Sequence, residues 1–539
     1  MESDNNKTNL EKSCASFKFL IGITPRIYQE KILETCIKKN CLVVLPTGLG
    51  KTLVALMLSI KRMQEYPGEK VVFLAPTKPL AEQHLVFFKK HLPELFADMQ
   101  LFTGMVKPQQ RKKIWETSDI IFSTPQCIAN DLRNNLYNLQ QVCLLVEDES
   151  HRCIKNYDYN YIAQKYNQQS NNQRIIGLTA SPGSQSSKIK EICKNLFIED
   201  VELRTRQSED VKRYIQELKF EKIMIDFPKE FEEMRQVFLT MFNKYVEELK
   251  LRKILWQPPS KIALINLQKK IIGVLNRGSK NYNYMLGASA CAQAIKIQHA
   301  LELLETQTLS GFNKYLKNLF EQARKKQSKG VIKLISKPEF NFVYMMSNEL
   351  LAKKIEHPKI KNLFEIVKQE KSKNNKLKII VFTQFRETAA IISKKLNEIK
   401  GIKAKVFVGQ AKKIDKGIST GLSQKEQKQI IDEFSSGKIN VLCATCIAEE
   451  GLDIPEVNSV IFYEPVPSAI RTIQRTGRTA RLMEGKLIML ITKNTRDEAF
   501  YYVSKAKEKR MHSAINSIKE DLANGNQLIK KQKTIKDYF

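Results

Sequence analysis

Thr47-Gly48-Leu49-Gly50-Lys51-Thr52 stands between an apolar run, Cys41–Leu45, and a segment carrying Leu53, Ala55, Leu56 and Leu58. That order reads as a buried strand, a glycine-rich turn and the start of an apolar helix. Glycines let backbone N–H groups close around phosphate oxygens, and the helix N-terminus adds its positive dipole end. Lys51 is then placed to reach the outer phosphates of a nucleoside triphosphate, and the Thr52 hydroxyl to bind Mg²⁺, with Thr47, Gly48 and Gly50 shaping the turn. The strict phosphate-loop spacing asks for glycine at the position Leu45 occupies, so the motif is a variant.

Acid follows further along. Leu144-Leu145-Val146-Glu147 runs into Asp148-Glu149-Ser150-His151. A carboxylate at the end of a buried strand suits a metal, and its neighbour can orient and deprotonate water. Asp148 is assigned to Mg²⁺, Glu149 to the base, and Glu147 is read as non-catalytic. Near the other end lies Gln474-Arg475-Thr476-Gly477-Arg478-Thr479-Ala480-Arg481. Guanidinium supplied from outside a phosphate loop stabilises the charge of phosphoryl transfer, by about 10³–10⁵ in rate. If the segment is helical, Arg478 and Arg481 share a face.

The elements that must position these groups are legible as texture. Short apolar strands at Cys41–Leu45, Val71–Leu74, Ile120–Phe122, Cys143–Val146 and Ile175–Leu178 alternate with longer amphipathic stretches. The pattern returns at Lys378–Phe382, Val406–Val408, Val441–Cys443, Ser459–Tyr463 and Leu487–Ile491. Strand-helix alternation predicts parallel sheets, so an α/β fold with two tandem lobes, 1–200 and 356–505, is expected. Between them, 201–355 reads as a helical insert, and 506–539 as a basic tail.

The balance of 89 Lys plus Arg against 57 Asp plus Glu gives a net charge of +32. Folding does not need that excess; a polyanion partner does. No apolar run is long enough to span a bilayer, and the polar, acid-bearing N-terminus lacks the pattern of a secretion signal, so no membrane partner and an intracellular, cytoplasmic setting are expected, nucleoid-associated if the source is archaeal. The ten cysteines are scattered, and Cys443 and Cys446 lack the partners that zinc would want. Residues 251–300 hold Lys269 and Lys270 among other basic groups, no Asp or Glu, and Trp256, Tyr282 and Tyr284 between the charges. Basic groups with interleaved aromatics suit phosphate contact plus base stacking.

Taken together the motifs resemble superfamily 2 helicases. Arg26-Ile27-Tyr28-Gln29 looks like the adenine-reading motif upstream of the phosphate loop. Ala75-Pro76-Thr77-Lys78-Pro79-Leu80, Phe102-Thr103-Gly104 and Ser123-Thr124-Pro125-Gln126 resemble strand-contacting loops, and Thr179-Ala180-Ser181-Pro182 the motif coupling hydrolysis to movement. Val381–Phe385, Ala444-Thr445 and Glu449–Asp453 continue the likeness through the second lobe. Gly421–Gln427 and Phe462–Ile470 narrow it to the archaeal Hef family and its eukaryotic relatives, the Fanconi anaemia M and Mph helicases.

The resemblance implies two RecA-like lobes, ATP and Mg²⁺ as cofactors, and a helical, thumb-like insert that contacts branched DNA. By the same likeness Arg26, Gln29 and Asp453 join the nucleotide set, Gln474 joins Arg478 and Arg481, and Thr77, Lys78, Thr103, Thr124, Gln384 and Thr445 lie along a bound strand. The implied activity is ATP-dependent remodelling of forks and Holliday junctions, 3′ to 5′; an RNA-directed helicase or double-stranded-RNA-activated ATPase is the alternative. The nuclease motif of many Hef proteins is absent from the sequence, so branch cleavage is not expected and a separate nuclease is a candidate partner. Ser150 and Ala480 stand where Ala and Gly are commoner. Gln532, Ile535, Tyr538 and Phe539 resemble the box that binds a sliding clamp (PCNA).

Overall fold

A computed structural model of the chain describes residues 19–214, 218–277, 282–374, 376–409, 414–415, 418–419, 421–445, 454–468 and 485–525. Strands β1 (Cys41–Val44), β2 (Lys70–Leu74), β3 (Met99–Phe102), β4 (Ile120–Ser123), β5 (Val142–Asp148), β6 (Ile175–Thr179) and β7 (Asp200–Leu203) form one sheet. Their order is β3-β4-β2-β5-β6-β1-β7, and every pairing is parallel. A parallel sheet is covered on both faces, which is why β1, β2, β4, β5 and β6 are buried at every position. Helices Ile27–Lys38 and Lys51–Glu65 pack on one face through Tyr28, Ile32, Leu53 and Leu56. Helices Pro125–Arg133, Asp158–Gln169 and Ser186–Asn195 cover the other through Ile128, Ile162 and Ile192.

The second lobe is built the same way. Strands β8 (Leu218–Ile225), β9 (Ile379–Phe382), β10 (Ala404–Phe407), β13 (Val441–Ala444), β14 (Ser459–Phe462) and β15 (Gly485–Thr492) pair in the order β10-β13-β9-β14-β15-β8, again all parallel. A two-residue antiparallel pair, β11 (Ile414–Asp415) with β12 (Ile418–Ser419), stands apart.

Between β8 and β9, helices Lys229–Leu251, Lys261–Asn276, Tyr282–Thr306, Leu309–Arg324, Lys329–Ile335 and Pro338–Ala352 close around a core of their own that includes Phe231, Phe238, Leu304, Phe312 and Phe340. Trp256 and Tyr282 stay 81% and 71% exposed, Lys269 and Lys270 are exposed, and Tyr284 packs against the core.

Two of the expected boundaries move. Residues 201–355 do not form a single helical unit: β7 belongs to the first sheet and β8 to the second, where it pairs with β15 along eight residues from Leu218 to Ile225. Nor does a tail begin at 506, because one helix runs from Arg496 to Ala523. Its Met511, Ile515 and Ile518 are buried in the core of the first lobe, and Lys190 pairs with Asp521 at 2.9 Å. This helix therefore starts on the second lobe and ends on the first. No described helix is long and apolar enough to cross a membrane.

Candidate active site

The turn after β1 owes its shape to two glycines. Gly48 and Gly50 have φ of 88° and 81°, the left-handed region, and Gly50 caps the Lys51–Glu65 helix. Gly50 is also required by space, since a Cβ there would lie 2.2 Å from Nε2 of Gln29. The Gln29 amide spans the turn: its Oε1 accepts from the Arg26 N–H at 2.8 Å, and its Nε2 donates to the Leu49 carbonyl at 3.0 Å. The Tyr28 hydroxyl donates to the same carbonyl at 2.8 Å, and the Arg26 guanidinium lies 5.3 Å from the Tyr214 ring centroid. Lys51 Nζ donates to the carbonyl of Leu45 at 3.1 Å, so the residue that breaks the strict motif supplies backbone to the motif's own lysine.

Asp148 closes β5 and turns toward the same turn. His84, on the Lys78–His91 helix, bridges it to the phosphate loop, with Nε2 2.9 Å from Asp148 Oδ2 and Nδ1 3.4 Å from Thr52 Oγ1. Burial pushes the Asp148 carboxyl up, but the His84 imidazole and then the Lys51 ammonium outweigh it and hold the group below its usual range. A hydroxyl and a deprotonated carboxylate aligned by one imidazole are a hard oxygen donor set, which fits Mg²⁺.

Glu149 adopts φ 51° at the start of a single 3-10 turn, Ser150–Arg152, so its side chain leaves the strand direction. Its Oε2 is 3.2 Å from His151 Nδ1, which also lies 3.4 Å from the Thr179 hydroxyl. Thr179 Oγ1 accepts the Ser181 N–H at 3.1 Å, and the Ser181 hydroxyl meets the Met511 sulfur at 2.9 Å. Contacts thus run unbroken from Glu149 to the helix that spans the lobes. Glu147 faces elsewhere: it is fully buried, accepts the Cys153 thiol at 3.1 Å, and burial pushes its carboxyl up to about 8.

In the first lobe Thr77 is exposed and Lys78 and Thr124 are half-buried, but Thr103 is 7% exposed and its hydroxyl accepts the Met105 N–H at 3.3 Å. The hydroxyl shapes its own turn, and Gly104, Met105 and Lys107 face outward instead. In the second lobe Gln384 and buried Thr445 follow β9 and β13, and the backbone N–H of Gln384 donates to Glu464 Oε1.

A family model described as DEAD/DEAH box helicase matches residues 26–189, and one described as helicase conserved C-terminal domain matches 358–483. A third, a helical bundle named for an ATP-dependent RNA helicase, matches 230–356. The crystal structure of the Pyrococcus furiosus Hef helicase domain superposes with a TM-score of 0.69 at 42% identity, covering 89% of this chain and 98% of that one. The chain belongs to the Hef and Fanconi anaemia M family of superfamily 2 helicases. Among this helicase's relatives, a Methanocaldococcus jannaschii protein named as an ATP-dependent RNA helicase is 38% identical across 92% of the chain and 61% of its own length. A Schizosaccharomyces pombe protein named as the ATP-dependent DNA helicase fml2 is 30% identical across 92% of the chain and 64% of its own length. The chain thus spans less than two thirds of these relatives.

The family resemblance and the two-lobe α/β expectation are borne out. Gln474, Arg478, Arg481 and Asp453, and the tail residues Gln532, Ile535, Tyr538 and Phe539, lie outside the described residues. The sequence reading missed His84 and the structural use of His151. His84 did leave a signal: Ala81, His84, Phe88 and His91 fall at helical spacing and all are buried, so that face of the helix points inward.

Proposed function

We propose that this helicase couples ATP hydrolysis to movement along one strand of forked or branched DNA, in the 3′-to-5′ sense its family implies. The observation that carries the reading is His84 joining Thr52 of the phosphate loop to Asp148 at the C-terminal edge of one parallel sheet, with Lys51 acting on the same carboxylate and Glu149 next in the chain. Lys51 grips the outer phosphates, the Gln29 side chain sets the nucleotide's entrance beside Arg26, and Glu149 orients and deprotonates water. Mg²⁺, held by Thr52 and Asp148, supplies neutralisation of phosphate charge. Gln474, Arg478 and Arg481 complete the pocket from the second lobe, and Asp453 joins the nucleotide set.

Movement follows from the contacts leaving Glu149. Through His151, Thr179 and Ser181 they reach the helix Arg496–Ala523, rooted on the second lobe. A change at the water-activating carboxylate therefore has a packed route to the lobe that carries Gln384 and Thr445. Thr77, Lys78 and Thr124, with the outward side of the Thr103 turn, line the strand on the first lobe, and Lys269 and Lys270 of the insert meet the branch. The net charge of +32 suits phosphate-dominated binding, which weakens linearly with the logarithm of salt. The C-terminal Gln532, Ile535, Tyr538 and Phe539 recruit a sliding clamp, and their removal abolishes clamp pull-down while sparing ATP turnover.

An RNA substrate is the second reading, favoured by the names of the M. jannaschii relative and of the helical-bundle model. ATP turnover measured with forked DNA, linear DNA and structured RNA decides between them. Strongest stimulation by the fork is expected; stronger stimulation by RNA overturns the DNA reading.

A further inference from the structure

A buried charged residue, Arg111, has no part in anything assigned so far. Arg111 sits on the inward face of the helix Pro108–Thr117, which connects β3 to β4, and is 5% exposed. Its Nε donates to Asp131 Oδ2 at 2.7 Å and its Nη2 donates to Asp131 Oδ1, so one side of the guanidinium is spent on a carboxylate that is 1% exposed. The Tyr137 hydroxyl donates to the same carboxylate at 2.9 Å, and its ring stacks on Trp115 with centroids 3.9 Å apart. The remaining side of the fork turns to backbone: Nη1 donates to the carbonyl of Thr103 at 3.4 Å and to that of Val106.

Those carbonyls bracket the turn whose outward groups are Gly104 and Met105, with Met105 82% exposed and Lys78 Nζ 3.5 Å from its sulfur. Asp131 belongs to the helix Pro125–Arg133, whose N-cap is Thr124. Arg111 therefore joins two loops assigned to one strand-contacting surface, loops whose sequences alone would leave them independent. The Ser123 hydroxyl, donating to the Phe102 carbonyl at 3.1 Å, adds a shorter stitch between the same two strand ends.

Stability alone is a weak reason to bury such a pair, because well-packed apolar residues of similar volume usually serve as well or better. Geometry is a better one. A planar fork satisfies one carboxylate in bidentate fashion and two carbonyls at fixed angles, which a point-like ammonium cannot do. Resting on the strand reading above, we infer that Arg111, held by Asp131, is a positioning residue for strand binding, fixing the Thr103–Val106 turn in register with Thr124.

The test is ATP turnover of the full chain titrated with a single-stranded DNA oligonucleotide, alongside turnover without DNA and the thermal unfolding midpoint. Arg111→Lys and the apolar pair Arg111→Met with Asp131→Leu are compared with the parent. Both are expected to raise the oligonucleotide concentration for half-maximal stimulation by about ten- to a hundredfold, the scale of loss from ångström-level misplacement. DNA-free turnover stays unchanged in both, and the apolar pair still unfolds in one cooperative transition, at a lower midpoint because the Tyr137 hydroxyl loses its acceptor. An unchanged half-maximal concentration overturns the inference, as does a fall in DNA-free and stimulated turnover in the same proportion. A parent chain that no oligonucleotide stimulates overturns the strand reading itself, and this inference with it.

Discussion

The two lobes share an architecture and use the same edge of it in opposite ways. At the C-terminal ends of β1 and β5, charged groups of the first lobe converge on a glycine turn and are aligned for something from outside, with Lys51 on a backbone carbonyl and Asp148 on His84. At the ends of β9, β14 and β15, the charged groups among the described residues of the second lobe are spent on each other. Lys359 and Asp497 pair there with both side chains fully buried, Asp497 accepts the Thr492 N–H at 3.0 Å, and Lys359 Nζ donates to the Thr306 carbonyl at 3.1 Å. The Thr388 hydroxyl donates to Gln307 at 2.8 Å, and the Arg496 N–H to Glu305 at 3.0 Å, so the end of the insert's longest helix is bound into the same cluster. Among the described residues, the first edge turns its charged groups toward the glycine turn, and the second fastens the insert.

That contrast can be broken from either side. The largest effect is expected at Lys51, the cation reaching the phosphates: Lys51→Ala should lower phosphate release by at least about 10³-fold. DNA binding by fluorescence anisotropy should survive, since the lysine serves nucleotide and not strand. On the second lobe Lys359→Met should leave hydrolytic chemistry intact but strand Asp497 without its cation. A loss of about 3–5 kcal/mol in denaturant unfolding is expected, with much of it regained when Asp497→Leu is added.

A smaller change separates alignment from chemistry within the first lobe. His84→Leu should raise the Mg²⁺ concentration for half-maximal turnover by about ten- to a hundredfold and weaken Mn²⁺ binding measured by electron paramagnetic resonance. Equal losses at saturating and limiting metal would contradict that role.

The smallest effect belongs to the insert, where Glu302 meets Lys261 and His299. Burial raises the Glu302 carboxyl, and the hydrogen bonds from His299 and Lys261 more than reverse this, bringing it down to about 2. Because the folded form holds its proton less tightly than the unfolded chain, the stabilisation is complete above the ordinary carboxylate range and fades as pH falls from about 4.5 towards 2. Glu302→Gln should cost about 1–3 kcal/mol at neutral pH and remove that part of the acid dependence in urea titrations at several pH values.

What the residues revealed in advance divides along the same line. Phosphate loop and acidic strand end were legible because local sequence makes them: Gly48 and Gly50 must take positive φ, and Asp148 ends a strand that opens with five apolar residues, Val142–Val146. The strand β8 was not. Its central residues Lys219, Phe220, Glu221 and Lys222 are exposed, it sits at a sheet edge, and its partner β15 lies far away in sequence. A strand whose apolar signal is weak and whose pairing is distant looks like part of the neighbouring helical texture. The helix Arg496–Ala523 was obscured by lysines. Met511, Ile515 and Ile518 carry a narrow apolar stripe at helical spacing, and only the first lobe's surface explains why it is there. His84 and Arg111 share a cause: each is a polar residue on a buried helix face whose partners come from other elements distant in sequence.

The chain passes between its lobes twice, once on the way from β7 to β8 and again along the helix whose Met511 rests on Ser181. A single protease cut in the first passage would leave the halves clasped by the second, so nicked protein should elute as one particle until denatured. Mechanically, a pair joined at two points resembles a door on two pins: turning about the line through them is easy, while sliding or twisting apart is resisted.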